Sequence, residues 1–348
     1  MQASPVRFAI IGTGNIAGFH ARAVALVPQA RLVAVHSRRP ESGQSFAAQH
    51  DAEYVADYAE LLARPDIDAI AITTPSGTHA ELGIAAARAG KHVLCEKPID
   101  INTDRIDTLT SACTEAGVLL GAIFQARFGP GARALKDAAL AGRFGQLAQC
   151  GAYVPWYRSA EYYKSAGWRG TWDLDGGGAL MNQSIHAIDL ILWLAGDVAE
   201  VSAHCGTALH PTLEVEDNAV AWLRFKNGAF GVVQGSTACY PGESRRVELK
   251  GTLGSATLID DRPVFWQFSE ELPGDAAVRG LAETAQIGGG ASNPVAMSVE
   301  GHRVQVEDFA QAILEGRQPA IPGSEGRRAV ELINAIYQSS RSGQRVQL

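Results

Sequence analysis

The sequence is poor in cysteine: five in 348 residues, at positions 95, 113, 150, 205 and 239, an odd number with no C-x-x-C pair. That spacing argues against a disulfide framework and against a structural zinc site, and leaves small, packed interior side chains as the expectation. His92 and Cys95 are three apart, but His92-Val93-Leu94-Cys95 reads as a strand, where such positions face opposite ways, so no metal is expected. Long apolar runs are also missing. The best, Ala116 to Phe124, is nine residues, against about 20 needed to cross a bilayer. Met1 to Arg7 has no charged region followed by an apolar one, so no secretory leader is expected. Basic charge is short as well, with 30 Lys and Arg against 37 Asp and Glu, a net charge of −7 and a pI near 5.7. Nucleic-acid binders tend to a pI above about 9. With 37 glycines and 15 prolines the chain is neither collagen-like nor disordered in composition. A soluble cytoplasmic protein without nucleic-acid or membrane partners is expected.

What is present is an ordered alternation. The length fits two domains. Over residues 1–125, short apolar runs (Val6 to Ile11, Arg31 to His36, Ala69 to Thr73, His92 to Cys95, Val118 to Phe124) alternate with helical stretches. Buried strands separated by helices predict a doubly wound parallel sheet covered on both faces. Residues 126–348 read differently. A helix at Ala132 to Ala141 and a strand at Leu147 to Val154 precede a glycine-rich turn and a long helix, Gly176 to Leu194. Five strand candidates follow, Val198 to Cys205, Asp217 to Lys226, Ala229 to Ala238, Ser244 to Lys250 and Ser255 to Asp260. The turn Lys226-Asn227-Gly228 is a hairpin signal of type I′ form. This half predicts an α+β domain with a mostly antiparallel sheet, helices on one side, and one sheet face left uncovered, hence a homo-oligomer. Gly280 to Pro294 reads as a loop, and helices at Val304 to Leu314 and Ser324 to Ser339 close the chain.

Gly12-Thr13-Gly14-Asn15-Ile16-Ala17 follows the first strand and opens the first helix. The first glycine permits the tight turn, the second lets backbone approach a pyrophosphate, and Ala17 fills the small third position. The helix N-terminus then offers bare N–H groups to the phosphates, so Gly12, Gly14, Asn15 and Ile16 are expected to bind a dinucleotide. After the second strand come Ser37, Arg38 and Arg39, with no carboxylate before Glu41. A hydroxyl followed by guanidiniums suits the 2′-phosphate of NADP better than the bare ribose of NAD, so NADP is slightly favoured and Ser37 and Arg38 are its candidate contacts.

Together with Thr74-Pro75 and His79, Glu96-Lys97-Pro98, and Gly176-Gly177-Gly178 leading into Asn182, His186 and Asp189, this loop resembles the glucose-fructose oxidoreductase/inositol dehydrogenase (Gfo/Idh/MocA) family. The resemblance implies a Rossmann domain joined to a domain with a broad, open antiparallel sheet on which dimers or tetramers assemble. It implies that Thr74, Pro75, His79, Glu96 and Lys97 lie along the cofactor, with Lys97 beside the nicotinamide and the reacting carbon. Family members often have a cis bond at the Lys-Pro step. It also implies that Asn182 and His186 belong to the substrate site with Asp189 near the histidine, and that Trp168-Arg169 touches cofactor or substrate. Many relatives carry Asp where Asn182 stands, so a charge that would favour the His186 imidazolium is missing. From spacing alone, Asn182, His186 and Asp189 at i, i+4 and i+7 share one helix face. Tyr153 to Trp172 holds seven aromatic residues, whose flat faces suit the C–H faces of sugars, with Tyr153 a candidate substrate contact. The expected activity is hydride transfer between nicotinamide and a carbinol or keto carbon of a sugar, glycoside or nucleotide sugar, with Lys97 or His186 handling the hydroxyl proton. Lys97 serves as a base only if burial or a nearby cation lowers it from ~10.4. Two other readings remain: a cofactor- or sugar-sensing regulator, which has no need of Lys97 and His186, and a reductase of a non-sugar substrate of dihydrodiol or biliverdin type.

Overall fold

A computed structural model describes residues 4–284 and 298–348. The chain divides into two compact units, residues 1–125 with 299–327, and residues 126–298 with 328–348. The second domain expected over 126–348 is therefore interrupted. The helix Glu300–Glu315 returns to the first unit, where Phe309 packs 6.4 Å from Phe8, centroid to centroid, in the same core as Ile10, Val35 and Leu94. A 3.6-residue apolar periodicity announces a helix, but not which distant core receives it.

The first unit is a six-stranded parallel sheet of β1 (Val6–Ile11), β2 (Ala30–His36), β3 (Glu53–Tyr54), β4 (Ala69–Ile72), β5 (His92–Cys95) and β6 (Leu120–Ala122), in the order β3-β2-β1-β4-β5-β6. All four residues of β4 are buried, as strands covered on both faces require. The order reverses between β1 and β4, and ligands of such sheets bind beyond the strand ends at that reversal.

The second unit carries eight strands, β7 (Leu147–Pro155), β8 (Val198–Gly206), β9 (Asn218–Phe225), β10 (Phe230–Ser236), β11 (Arg246–Gly251), β12 (Gly254–Ile259), β13 (Arg262–Phe268) and β14 (Val346–Gln347), in the order β13-β12-β11-β7-β10-β9-β8-β14. Only the β7–β10 pairing is parallel. The β9–β10 hairpin forms where Asn227-Gly228 predicts it, yet its turn is not type I′. Gly228 N–H bonds to the Phe225 carbonyl and Gly228 has φ +91°, whereas Asn227 keeps negative φ. This is a three-residue loop, a type I turn closed by one left-handed residue. β13 follows β12 too closely to register as a separate strand in the sequence, and β14 is two residues long. One sheet face packs under the helix Ile185–Ala195 and the segment before it. The other exposes Val220, Phe230 and Phe265, each about half accessible. Of the expected loop Gly280 to Pro294, residues 280–284 end the helix Asp275–Thr284, and the remainder lies outside the described residues. No helix among the described residues is long and apolar enough to cross a membrane.

Candidate functional site

In the first unit, Gly12 stands at the end of β1 with φ +97°, and a Cβ there would sit 2.9 Å from the Thr73 carbonyl oxygen, so only glycine fits. The helix Asn15–Ala25 begins at Gly14 with no side chain capping it. Gly14 and Asn15 are exposed, and a Cβ at Gly14 would meet no atom within 4 Å. Bare N–H groups over open space are the donor set and the partial positive charge that a pyrophosphate takes. The residues present fit a dinucleotide. Beyond β2, Ser37 is buried and its hydroxyl lies 3.2 Å from Thr13 Oγ1 and 3.4 Å from Ser42 Oγ, while Arg38 and Arg39 reach solvent.

Thr74-Pro75 follows β4. His79, expected along the cofactor, is 1% exposed, and its two ring nitrogens meet the Thr74 and Pro98 carbonyl oxygens at 2.8 Å each. Its role in the structure is to pin the Thr74-Pro75 turn to the turn that carries Lys97. That second turn follows β5, and its Lys97–Pro98 bond is cis. Glu96 is 4% exposed and turned inward. Its Oε1 lies 2.8 Å from His20 Nε2 and 3.5 Å from His302 Nε2, and its Oε2 accepts the Lys97 N–H at 3.0 Å. At 3.5 Å the His302 approach is long for a hydrogen bond, so His20 is the closer of the two partners. Burial pushes the Glu96 carboxyl up, but the two histidines outweigh it and hold the group well below the usual carboxylate range. Burial pushes His302 down. The family resemblance points Glu96 at the cofactor, and nothing in the sequence marks His20 or His302 as its partners. The inward carboxylate is already engaged by protein groups.

In the second unit, the expected uninterrupted helix is broken into two geometries: Ala179–Ser184 is a π-helical turn, and α-helix runs only from Ile185 to Ala195. Such turns widen the helix, so Asn182 lies in the π-turn while His186 and Asp189, three residues apart, lie in the α-helical part. The glycine triplet permits this start. Gly178 donates its N–H to Glu216 Oε2 at 3.0 Å, Leu180 donates to Oε1 at 2.8 Å, and a Cβ at Gly178 would run into the Glu216 backbone carbonyl. Burial pushes the Glu216 carboxyl up to about 7, against these hydrogen bonds and that of Tyr337, which pull it down.

Asn182 and His186 are half-buried in a segment whose other residues from Gly176 to Leu192 are buried. Asn182 donates to Asp175 Oδ1 at 2.6 Å and accepts from Gln183 Nε2 at 2.7 Å; Gln183 also donates to Tyr162 Oη at 2.9 Å and accepts from Arg158 at 2.8 Å. The network fixes which way the Asn182 amide faces. It also places a carboxylate, Asp175, one hydrogen bond from the position where the expected Asp is missing. Both oxygens of Asp189 receive the Arg127 guanidinium, at 2.8 and 2.6 Å, with Asp189 1% and Arg127 5% exposed. Arg127 and Arg158 are not legible as site residues, since they meet Asp189 and Gln183 62 and 25 residues away, and Asp175 and Gln183 become so only once the turn into the π-helix brings them onto Asn182.

Trp168 and Arg169 are half-buried, and the Arg169 guanidinium stacks 4.3 Å over Tyr162 while bonding to Ser165 Oγ. Tyr153 is not with this group. On β10, which pairs with β7, Gly235 faces Ser184 and Leu180, and Gly235 pairs with Val154. Tyr153, one residue before Val154, therefore points to the open face, where Arg246 stacks 4.0 Å over its ring and Glu248 accepts its hydroxyl at 3.1 Å.

Residues 6–124 match the oxidoreductase family model described as an NAD-binding Rossmann fold, and residues 132–257 match the GFO/IDH/MocA C-terminal domain. The chain is 28% identical to an inositol 2-dehydrogenase of Rhizobium meliloti over 96% of each chain. It is 25% identical to a levoglucosan dehydrogenase of Pseudarthrobacter phenanthrenivorans over 95% of each. Among solved structures, the WlbA dehydrogenase of Bordetella pertussis, in complex with NADH and UDP-GlcNAcA, superposes with a TM-score of 0.90 at 32% identity, covering 100% of this chain and 99% of the other. With its 3-2-1-4-5-6 parallel sheet, its Glu-Lys-Pro turn after β5 and its glycine-triplet π-turn, this chain belongs to the GFO/IDH/MocA oxidoreductase family.

Proposed function

We propose that this chain oxidises or reduces a ring carbinol of a sugar-like substrate, with Lys97 as the acid/base group and with Asn182 and His186 orienting hydroxyls. The observation that carries this is the pairing of an uncapped phosphate-type helix start with a lysine held on the turn after β5. Nicotinamide, when bound, supplies the hydride acceptor or donor. The protein's own work is to bind and to move a proton: Lys97 Nζ takes the hydroxyl proton as the carbinol carbon is oxidised, a contribution typically worth about 10²–10⁴-fold. Asn182, its amide fixed by Asp175 and Gln183, presents one orientation to a hydroxyl. Asp175 supports that amide in place of a carboxylate at position 182. A nucleotide-linked sugar acid is the substrate class to test first, because the similar WlbA dehydrogenase of Bordetella pertussis, with a TM-score of 0.90 at 32% identity, is in complex with UDP-GlcNAcA.

The cofactor is a nicotinamide dinucleotide, with NADP favoured over NAD on the exposed Arg38 and Arg39 beside Ser37. The test is a panel of UDP-linked N-acetylhexosaminuronate, levoglucosan and myo-inositol, each with NAD and NADP, read by nicotinamide reduction. Turnover of a member is expected, with the Arg38→Ala variant losing NADP affinity selectively. Tight cofactor binding without turnover of any ring carbinol would instead favour a sensing role, and tighter NAD binding with no effect of Arg38→Ala would reverse the cofactor preference.

A further inference from the structure

One cluster of titratable side chains in the first unit is untouched by that chemistry. His20 comes from the helix Asn15–Ala25, Glu96 from the end of β5 and His302 from the helix Glu300–Glu315, and none exceeds 4% exposure. An apolar trio of similar volume would fill the space without desolvating a carboxylate, which directs attention to what the carboxylate holds. Glu96 Oε1 faces the two histidines, and Oε2 takes the N–H of Lys97 at 3.0 Å.

We propose that His20, Glu96 and His302 form a positioning relay that fixes the Lys97 amide and so the direction in which its side chain leaves the backbone. The proposal rests on the reading of Lys97 as the acid/base group. His20 bonds Glu96 at 2.8 Å and belongs to the helix whose first turn forms the phosphate loop, so one carboxylate indexes the lysine turn against that loop. The imidazoles are themselves held: the His20 and His302 rings lie 5.4 Å apart at 70°, and Phe19 lies 5.7 Å from His302. Two histidines and a glutamate within mutual reach also describe an ion site. The 2.8 Å spacing between His20 Nε2 and Glu96 Oε1 is that of a hydrogen bond, tighter than the ~3.3 Å between neighbouring ligands of tetrahedral zinc with ~2.0 Å bonds.

Glu96→Gln keeps the side-chain volume and removes the charge. We expect kcat to fall at least about tenfold while KM and the dinucleotide Kd stay within about twofold, the pattern of a misoriented catalytic group. Without substrate, acetylation of Lys97 by an N-hydroxysuccinimide ester, measured by mass spectrometry against exposed Lys226 and Lys250 in the same digest, should change by about threefold or more. His302→Phe, which keeps a ring beside Phe19, should move the labelling in the same direction and serves if Glu96→Gln does not fold. Unchanged Lys97 labelling in the folded variants would overturn the relay. So would a dinucleotide Kd that rises in step with the loss of kcat, which makes Glu96 a cofactor contact, or one equivalent of zinc in the purified protein. Lys97→Ala separates the two readings: full activity there removes the base assignment, while the labelling still decides the relay.

Discussion

Asp189→Asn is expected to damage stability far more than chemistry. In the structure Asp189 and Arg127 form a two-pronged pair at 2.8 and 2.6 Å, with 1% and 5% exposure, and the guanidinium also lies 5.5 Å from the Trp193 ring centroid. Neutralising one partner removes the buried carboxylate charge that the guanidinium meets with two nitrogens, a loss of about 3–5 kcal/mol. For a unit of this size each kcal/mol lowers Tm by about 2–4 °C, so the transition should fall by roughly 10 °C. Thermal melting followed by near-ultraviolet circular dichroism reads this directly. The double variant Arg127→Met/Asp189→Leu should recover most of the loss, because it removes both charges. Well below the transition, kcat per folded molecule should change less than about threefold. An Asp189→Asn protein with unchanged Tm but a displaced pH–rate profile would refute this reasoning and return Asp189 to the role of a partner for the histidine.

Two further outcomes follow from the second unit. Glu216 titrates at about 7 when folded against 4.5 as a free side chain. The folded chain therefore binds more protons between these values and loses stability as pH rises through that window; Glu216→Gln should gain about 3 kcal/mol relative to wild type between pH 4 and pH 8, by urea denaturation at each pH. The exposed Val220, Phe230 and Phe265 on the uncovered sheet face lead us to expect a dimer or tetramer by sedimentation equilibrium at micromolar concentration; a mass at the 36.9 kDa of one chain would contradict it.

Legibility in the sequence follows the range of the interactions involved. Gly12, Gly14 and the strand they follow are visible because tight turns and buried runs are local demands, and the Asn227-Gly228 hairpin is visible for the same reason, although only Gly228 takes the left-handed conformation. The π-turn at Ala179–Ser184 is not visible, because it depends on Glu216, 38 residues from Gly178, receiving the N–H groups that open it. Asp189 reads as a partner of His186 by spacing, and only folding brings Arg127, 62 residues away, onto its carboxylate. Tyr153 reads as part of an aromatic sugar platform, yet strand alternation turns it to the open face. His302 carries no local signal at all, since its meaning depends on a helix that returns to a core built mostly from the first 125 residues.

The most direct test of the account compares Lys97→Ala with His186→Ala on a substrate identified from the panel, measuring kcat, KM and cofactor Kd for each. Lys97→Ala should lower kcat at least about 10²-fold with the cofactor Kd unchanged, the scale of losing an acid/base group, while His186→Ala costs less in kcat and more in KM. If His186→Ala is the deeper lesion in kcat and Lys97→Ala keeps more than about a tenth of wild-type turnover, the proton passes through the histidine and the central assignment is wrong.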